Sequence, residues 1–236
     1  PTRRSSDLMD PGFLSKVYGS LSESTWEEIN RVLGGYAKEE ALIGGEKLRM
    51  DSTVVESNIH YPTDSSLLWD SYRTLSRLMR EISGEMKAVG LFHRFHDKKI
   101  KKLAYFISRN GGSSSKRKQQ QVKKTYRKLI NRVQWICGVA HNAASLLSGE
   151  LLPEVVELKH YLPLVEKVID QAERRVFQGE MLPAEEKLYS IFEEHTELIK
   201  RGKAGTPVEF GHKVLLAQNE HKFITHYQVL PEKKDD

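Results

Sequence analysis

The sequence predicts an α/β protein in which a small sheet is interrupted by a large helical insertion, so that most residues are helical. Three observations lead there. A β-branched run, Thr53-Val54-Val55, lies between two turn-like stretches. Two further strand-like runs, residues 208–217 and 222–230, are joined by the turn Gln218-Asn219-Glu220-His221. Between the first run and this hairpin, roughly 140 residues repeat apolar side chains at intervals of three and four. One strand cannot form a sheet, so the first strand must pair across the helical stretch with the hairpin.

Taken in order, residues 1–8 are set aside. Pro-Thr-Arg-Arg-Ser-Ser-Asp-Leu resembles the translation of a sequencing-library adapter, which implies that the native start lies elsewhere. Residues 9–45 form N-terminal helices. Ser24-Thr25-Trp26-Glu27 fits a capping box, Trp26, Ile29, Leu33 and Tyr36 share one helical face, and Gly44-Gly45 ends the run. Residues 46–60 hold the first strand, with Asp51 in its middle. A carboxylate inside a strand goes against β-propensity, and such violations concentrate at functional sites; a solvent-facing edge Asp is the plain alternative. The account needs this carboxylate at the centre of the sheet.

Residues 61–180 form the helical insertion. Leu68, Tyr72, Leu75, Leu78, Met79, Ile82 and Met86 mark one amphipathic helix, and residues 98–108 a second. Asp64 and Asp70 sit at the start of the first, where capping accounts for them. Gly111 to Ser115 is a break. A long helix follows, with Val122, Tyr126, Leu129, Ile130, Val133, Cys137, Ala140 and Ala144 inward. Another spans 153–177, with Pro163 expected to kink or split it. In residues 181–236, 184–192 fits either a short helix or an extended segment, 202–207 is a loop, and the hairpin closes the chain.

Composition bounds the function. The 236 residues are 39% hydrophobic and 29% charged, a balance that supports a packed core. No apolar run approaches the roughly 18–20 residues of a membrane helix, and no apolar leader segment is visible. A membrane partner is therefore not expected. Cys137 is the only cysteine. That excludes both an intrachain disulfide and a cysteine-based zinc site, and suits a cytoplasmic, reducing compartment. His93-x-x-His96 is a weak pair, and the other histidines have no compact metal spacing.

A net charge of +5 hides a one-sided segment. Lys98, Lys99, Lys101, Lys102, Arg109, Lys116, Arg117, Lys118, Lys123, Lys124, Arg127, Lys128 and Arg132 occur without one intervening acid. Such a run repels itself unless it meets an anion, and nucleic-acid phosphate is the natural one. The eight from Lys116 to Arg132 on the long helix are the DNA-binding candidates; a solvated helix face is the plain alternative. Asp51 is the catalytic and metal-binding candidate. Two-metal phosphoryl transfer needs several carboxylates converging on a pair of divalent ions, and magnesium prefers hard oxygen donors. No convincing second and third carboxylate stands in this sequence.

Two blocks carry a family resemblance. Leu48-Arg49-Met50-Asp51-Ser52-Thr53-Val54-Val55-Glu56-Ser57-Asn58-Ile59-His60-Tyr61-Pro62-Thr63-Asp64-Ser65-Ser66-Leu67-Leu68 closely resembles a segment of bacterial insertion-sequence transposases of the DDE type. Gly202-Lys203-Ala204-Gly205-Thr206-Pro207-Val208-Glu209-Phe210-Gly211-His212-Lys213-Val214 is similar to theirs more loosely. The resemblance spans about residues 22–230. It implies a ribonuclease H-like catalytic domain, of which the first three strands are present, with Asp51 as the first acidic ligand. It implies Mg2+ or Mn2+ as cofactor, and transposon-end and target DNA as partners. Lys213 is implied as a phosphate contact, and a homo-oligomer on DNA as the working assembly. The reaction implied is DNA end cleavage followed by strand transfer. The family's second Asp and its Glu lie further downstream, so this N-terminal fragment is expected to be inactive alone. Two other readings stand beside it: a non-catalytic, basic helical nucleic-acid-binding protein, and a metal hydrolase acting on small substrates.

Overall fold

Helices outweigh strands, as the apolar periodicity requires. The computed structural model describes residues 11–43, 47–149, 152–203 and 206–230. In chain order, helices α1 (Pro11–Ser20) and α2 (Glu23–Glu39) precede strand β1 (Leu48–Glu56). Helices α3 (Asp64–Glu81), α4 (Ser83–Ala88), α5 (Asp97–Asn110), α6 (Lys116–Leu146) and α7 (Pro153–Glu173) follow. Strands β2 (Glu197–Lys203), β3 (Thr206–Asn219) and β4 (Ile224–Leu230) complete the order. The described residues fall into two units, one within Val55–His212 and the other within Pro1–Val54 with Lys213–Asp236.

The core of the helical unit follows from the three-and-four spacing. Leu68, Leu75, Leu78 and Met79 of α3 meet Ile100 and Ile107 of α5, Leu129, Val133 and Ala140 of α6, and Leu158, Val165 and Ala172 of α7. α6 runs 31 residues, about 46 Å at the rise of an α-helix. Its fully buried positions begin only at Leu129. α7 continues unbroken through Pro163, contrary to the expected split. Pro163 is exposed, so its ring lies on the solvent side and the packed positions on either side, Leu162 and Val165, keep the helix seated. The α-helix ends at Glu173, earlier than expected; Arg174–Gln178 form a π-helical turn, stopped by Gly179 at φ 71°. That left-handed angle is one that glycine adopts without strain.

The start of α3 corrects the reading of its aspartates. Thr63 is the N-cap: its Oγ1 accepts from Ser66 N at 3.1 Å, and Ser66 Oγ accepts from Thr63 N at 2.9 Å. This reciprocal pair closes a capping box with Ser in the place of the usual Glu or Gln. Asp64 is thereby released from capping and turns inward, while Asp70 lies in the second turn, too far along to cap. Thr63→Ala is expected to cost about 1 kcal/mol, the usual worth of an N-cap hydroxyl, read as a shift of the urea midpoint at unchanged slope.

The N-terminal helix also starts differently. Ser22, not Ser24, caps α2, its hydroxyl accepting from Thr25 N at 3.2 Å. The frame moves by two because Glu23 and Ser24 already lie in the first turn. Of the apolar face on α2, Ala37 is buried, whereas Leu33 and Tyr36 remain exposed. Tyr18 stacks on Trp26 at 5.3 Å between centroids. Gly44-Gly45 lies outside the described residues.

The sheet has four strands rather than three. Its neighbour order is β1-β3-β2, with β4 also paired to β3. The hairpin appears as expected, with β3 and β4 antiparallel from Lys213↔Leu230 to Gln218↔Ile224. β2 was expected as loop at its C-terminal end and was not foreseen elsewhere. It pairs antiparallel with β3, Glu197 facing Gly211 and Lys200 facing Val208. Residues 184–192 resolve into a 3-10 turn, Ala184–Glu186, followed by an irregular stretch that buries Leu188, Tyr189 and Ile191.

Gly211 allows one close approach within the helical unit. A Cβ there would run into the backbone carbonyl of Val55 and the Cα of Glu56. Both obstacles are backbone and neither can swing away, so Gly211→Ala must push strands apart. We expect a loss of roughly 2–3 kcal/mol, at the upper end of overpacking costs, measured by thermal unfolding.

Candidate nucleic-acid interface and the Asp51 carboxylate

β1 carries Asp51 in the alternation Arg49, Asp51, Thr53 along one side of the strand. Its side chain is 71% exposed and faces Arg49 Nη2 at 3.7 Å. A cavity of about 290 Å³ opens beside it, lined by Arg49, Asp51, Ser52, Thr53, Leu216, Gln218 and Ile224. Leu216 and Gln218 come from β3 and Ile224 from β4, so the strand and the hairpin do meet around this carboxylate. Asp51 is the single carboxylate in that lining. Among the described residues it joins no group of three or more His, Cys, Asp or Glu donors.

The expectation that Asp51 sits at the centre of the sheet is corrected. β1 ends the neighbour order, so among the described strands it is an outer one, bonded to β3 alone. Helices occupy the chain between β1 and the strands that pair near it, and no described strand covers its other edge.

Asp64, Asp70, Asp170 and Glu173 have partners of their own. Asp64 accepts from Arg175 Nη1 at 2.9 Å and from Gln171 Nε2 at 3.4 Å; Gln171 Oε1 in turn accepts from Leu188 N at 2.9 Å. This buried network ties α3 to the end of α7 and to the irregular stretch. Tyr126, close to Asp64, has its phenol pushed up to about 12, first by burial and then by that carboxylate. Asp70 is buried between Arg73 Nε at 2.8 Å and His60 Nε2 at 3.2 Å. Burial raises its carboxyl above the usual range, against the pull of Arg73 and His60. Asp170 and Glu173 sit on α7, paired with Arg174 and Gln134. Asp235 and Asp236 lie outside the described residues.

The basic candidates lie on α6. Lys116, Arg117, Lys118, Lys123, Lys124, Arg127, Lys128 and Arg132 are all exposed. At 100° per residue they spread over roughly 220° of the helix circumference, the part left free by the stripe of Leu129, Ile130 and Val133. None of the eight forms an ion pair with a described carboxylate, whereas Arg73, Arg77, Arg80, Arg174 and Arg175 of the same unit all do. Lys123 and Arg127 lie over the Phe177 ring, at 5.8 and 4.5 Å from its centroid. That contact holds their heads in place and leaves their charge unneutralised.

The N-terminus of α6 sharpens the point. Its first turn holds no acid, and Ser115 makes no side-chain cap bond. Instead Lys116, Arg117 and Lys118 stack positive charge on the positive end of the helix dipole, each unfavourable by roughly 0.3–1 kcal/mol. An anion bound there would relieve the repulsion and take up the free N–H groups. On α5, Lys98, Lys99, Lys101, Lys102 and Arg109 are exposed as well.

No family model, curated protein or solved structure matches the chain. No helix among the described residues is long and apolar enough to cross a membrane.

Sequence reasoning missed one constellation. Cys137, His141 and Glu166 bring their donor atoms within 4.8 Å of one another. His141 Nε2 and Glu166 Oε1 are 2.8 Å apart. Burial, then the Glu166 charge, pushes the Cys137 thiol up to about 11. Excluding a cysteine-containing metal site because there is one cysteine was too strict, since mixed donor sets need only one. The Cys-x-x-x-His spacing was visible in the sequence; Glu166 was not, because it comes from the next helix. His93 instead packs edge-on against Trp135, and His96 is the N-cap residue of α5.

Proposed function

We propose that this chain is a DNA-binding part of an insertion-sequence transposase of the DDE type, gripping duplex DNA across the exposed cations of α6. Asp51 lies on an outer strand of the described sheet, so it would serve as a catalytic carboxylate only where a further strand, outside the described residues, covers the free edge of β1. The observation that carries the DNA-binding reading is the set of eight exposed cations on the solvent side of α6, none of them ion-paired to a described carboxylate. Support for the transposase reading is the placement of β1 beside the first strand of the hairpin, with Asp51 on the cavity they share.

The residues present do not fit a pair of magnesium or manganese ions. A single exposed carboxylate with Arg49 beside it offers too few hard donors and one competing cation. No catalytic step is derived through such ions. The expected outcome is that this chain, given Mg2+ or Mn2+ and end-bearing DNA, leaves the DNA uncut. Strand transfer by these residues alone would overturn that.

One observation favours the non-catalytic alternative: Asp51 lies on an outer strand with no second carboxylate in its cavity. The DNA flanking the reading frame separates the two. A downstream strand bearing Asp, fit to cover the free edge of β1, followed by a helix bearing Glu, supports the enzyme. A downstream frame lacking both supports a binding protein.

Binding itself is tested by fluorescence anisotropy of a labelled duplex at several salt concentrations. Neutralising six to eight phosphates gives a slope of log affinity against log salt of about −5 to −7. A slope near zero would sink the reading.

A further inference from the structure

We propose that Cys137, His141 and Glu166 form a site for a borderline-soft divalent cation of the zinc or cobalt class, which clamps α6 to α7. This stands apart from Asp51 and from the DNA-binding face. Cys137 and His141 are four residues apart on α6 and so project from the same side of the helix. Glu166 reaches them from α7, and the three donor atoms lie within 4.8 Å of one another.

The geometry fits one ion. Donors held at about 2.0–2.3 Å from a tetrahedral centre stand roughly 3.3–3.8 Å apart. The His141–Glu166 pair, at 2.8 Å, has to open by about half an ångström. The thiol, within 4.8 Å of both partners, has to close by no more than about 1.5 Å. His141 and Glu166 are half-exposed and can make that adjustment. Cys137 is buried and acts as the fixed anchor. Three protein donors leave a fourth position for water. One sulfur, one nitrogen and one oxygen suit Zn2+ or Co2+ and disfavour magnesium. On binding, the thiol proton passes to solvent and the sulfur–metal bond forms, so thiolate and carboxylate together balance the ion's two positive charges.

Without an ion, His141 and Glu166 make an exposed pair of the kind that contributes little, above a thiol that only fills space. The two cases differ measurably. The probe is Co2+ alone, titrated into the whole reduced chain. The expected result is a thiolate-to-cobalt charge-transfer band that saturates at one equivalent and is bleached by Zn2+. His141→Ala and Glu166→Gln, both at surface positions, should each weaken binding by at least roughly tenfold. His160→Ala should change nothing. Zn2+ at about a hundred times its dissociation constant should raise the melting temperature by roughly 5–10 °C in the parent chain. Cys137→Ser should abolish the band; because that residue is buried, the two surface variants carry the test if it unfolds. Two results overturn the proposal: no saturable band, or a band whose affinity is unchanged in both surface variants.

Discussion

Replacing Lys116, Arg117, Lys118, Lys124 and Lys128 together by Ala is expected to weaken duplex DNA binding by roughly a hundredfold or more near 0.1 M salt, and to flatten the salt slope by about 4–5. The five were chosen because they are exposed, form no ion pair among the described residues and lie outside the Phe177 contact. Their removal touches no packed surface, since the buried positions of α6 start at Leu129. Folding stability should hold or rise slightly, because like charges at the dipole's positive end are lost. Loss of affinity with the same slope would mean that the cations act through structure rather than through phosphate. The measurement is anisotropy across a salt series, with thermal unfolding as the control.

Arg175→Ala should produce a loss of stability of about 2–3 kcal/mol, since it strands a buried carboxylate but removes a guanidinium that is itself 40% exposed. Asp64 is 8% exposed and receives 2.9 and 3.4 Å hydrogen bonds from Arg175 and Gln171. Without the guanidinium, the weaker amide bond is what remains for a carboxylate already removed from water. The melting temperature should fall by roughly 4–12 °C for a chain of this size. Asp64→Asn should be milder, because an amide needs no counter-charge. If both changes cost less than about 1 kcal/mol, the network is solvated and the helices hold without it.

The residues His60 to Ser66 show how much of a motif can be structural. In sequence they belong to the block that resembles transposases. In the fold, Thr63 and Ser66 cap α3, Asp64 locks α7, and His60 leans on Asp70. Arg49, Asp51, Ser52 and Thr53 of that block line the cavity shared with the hairpin, and Asp51 is the one carboxylate among them.

Periodicity made α3, α5, α6 and α7 legible, because each buries one stripe against the others. The β-branched run made β1 legible, and the hairpin followed from its turn. β2 escaped notice because Glu197, Lys200, Arg201 and Lys203 leave only Leu198 and Ile199 as strand formers. Pairing with β3 decided that segment, and pairing is not a local property. Pro163 misled for the opposite reason: local chemistry says break, but packing on both sides overrules it. At the site, the cations and the Cys-x-x-x-His spacing were visible, since each lies on a single helix. The edge position of β1 and the arrival of Glu166 were not, because both depend on contacts between distant segments.

Photocrosslinking asks most directly where DNA lies. A photoreactive residue placed at Arg117, Lys124 or Lys128 of α6, or at Lys159 or Lys167 on the exposed side of α7, is irradiated with a labelled duplex at low salt. The account predicts crosslinks concentrated at the three α6 positions and lost as salt rises. Crosslinks equal or stronger from α7, or none from α6 under conditions where the duplex is bound, would contradict it.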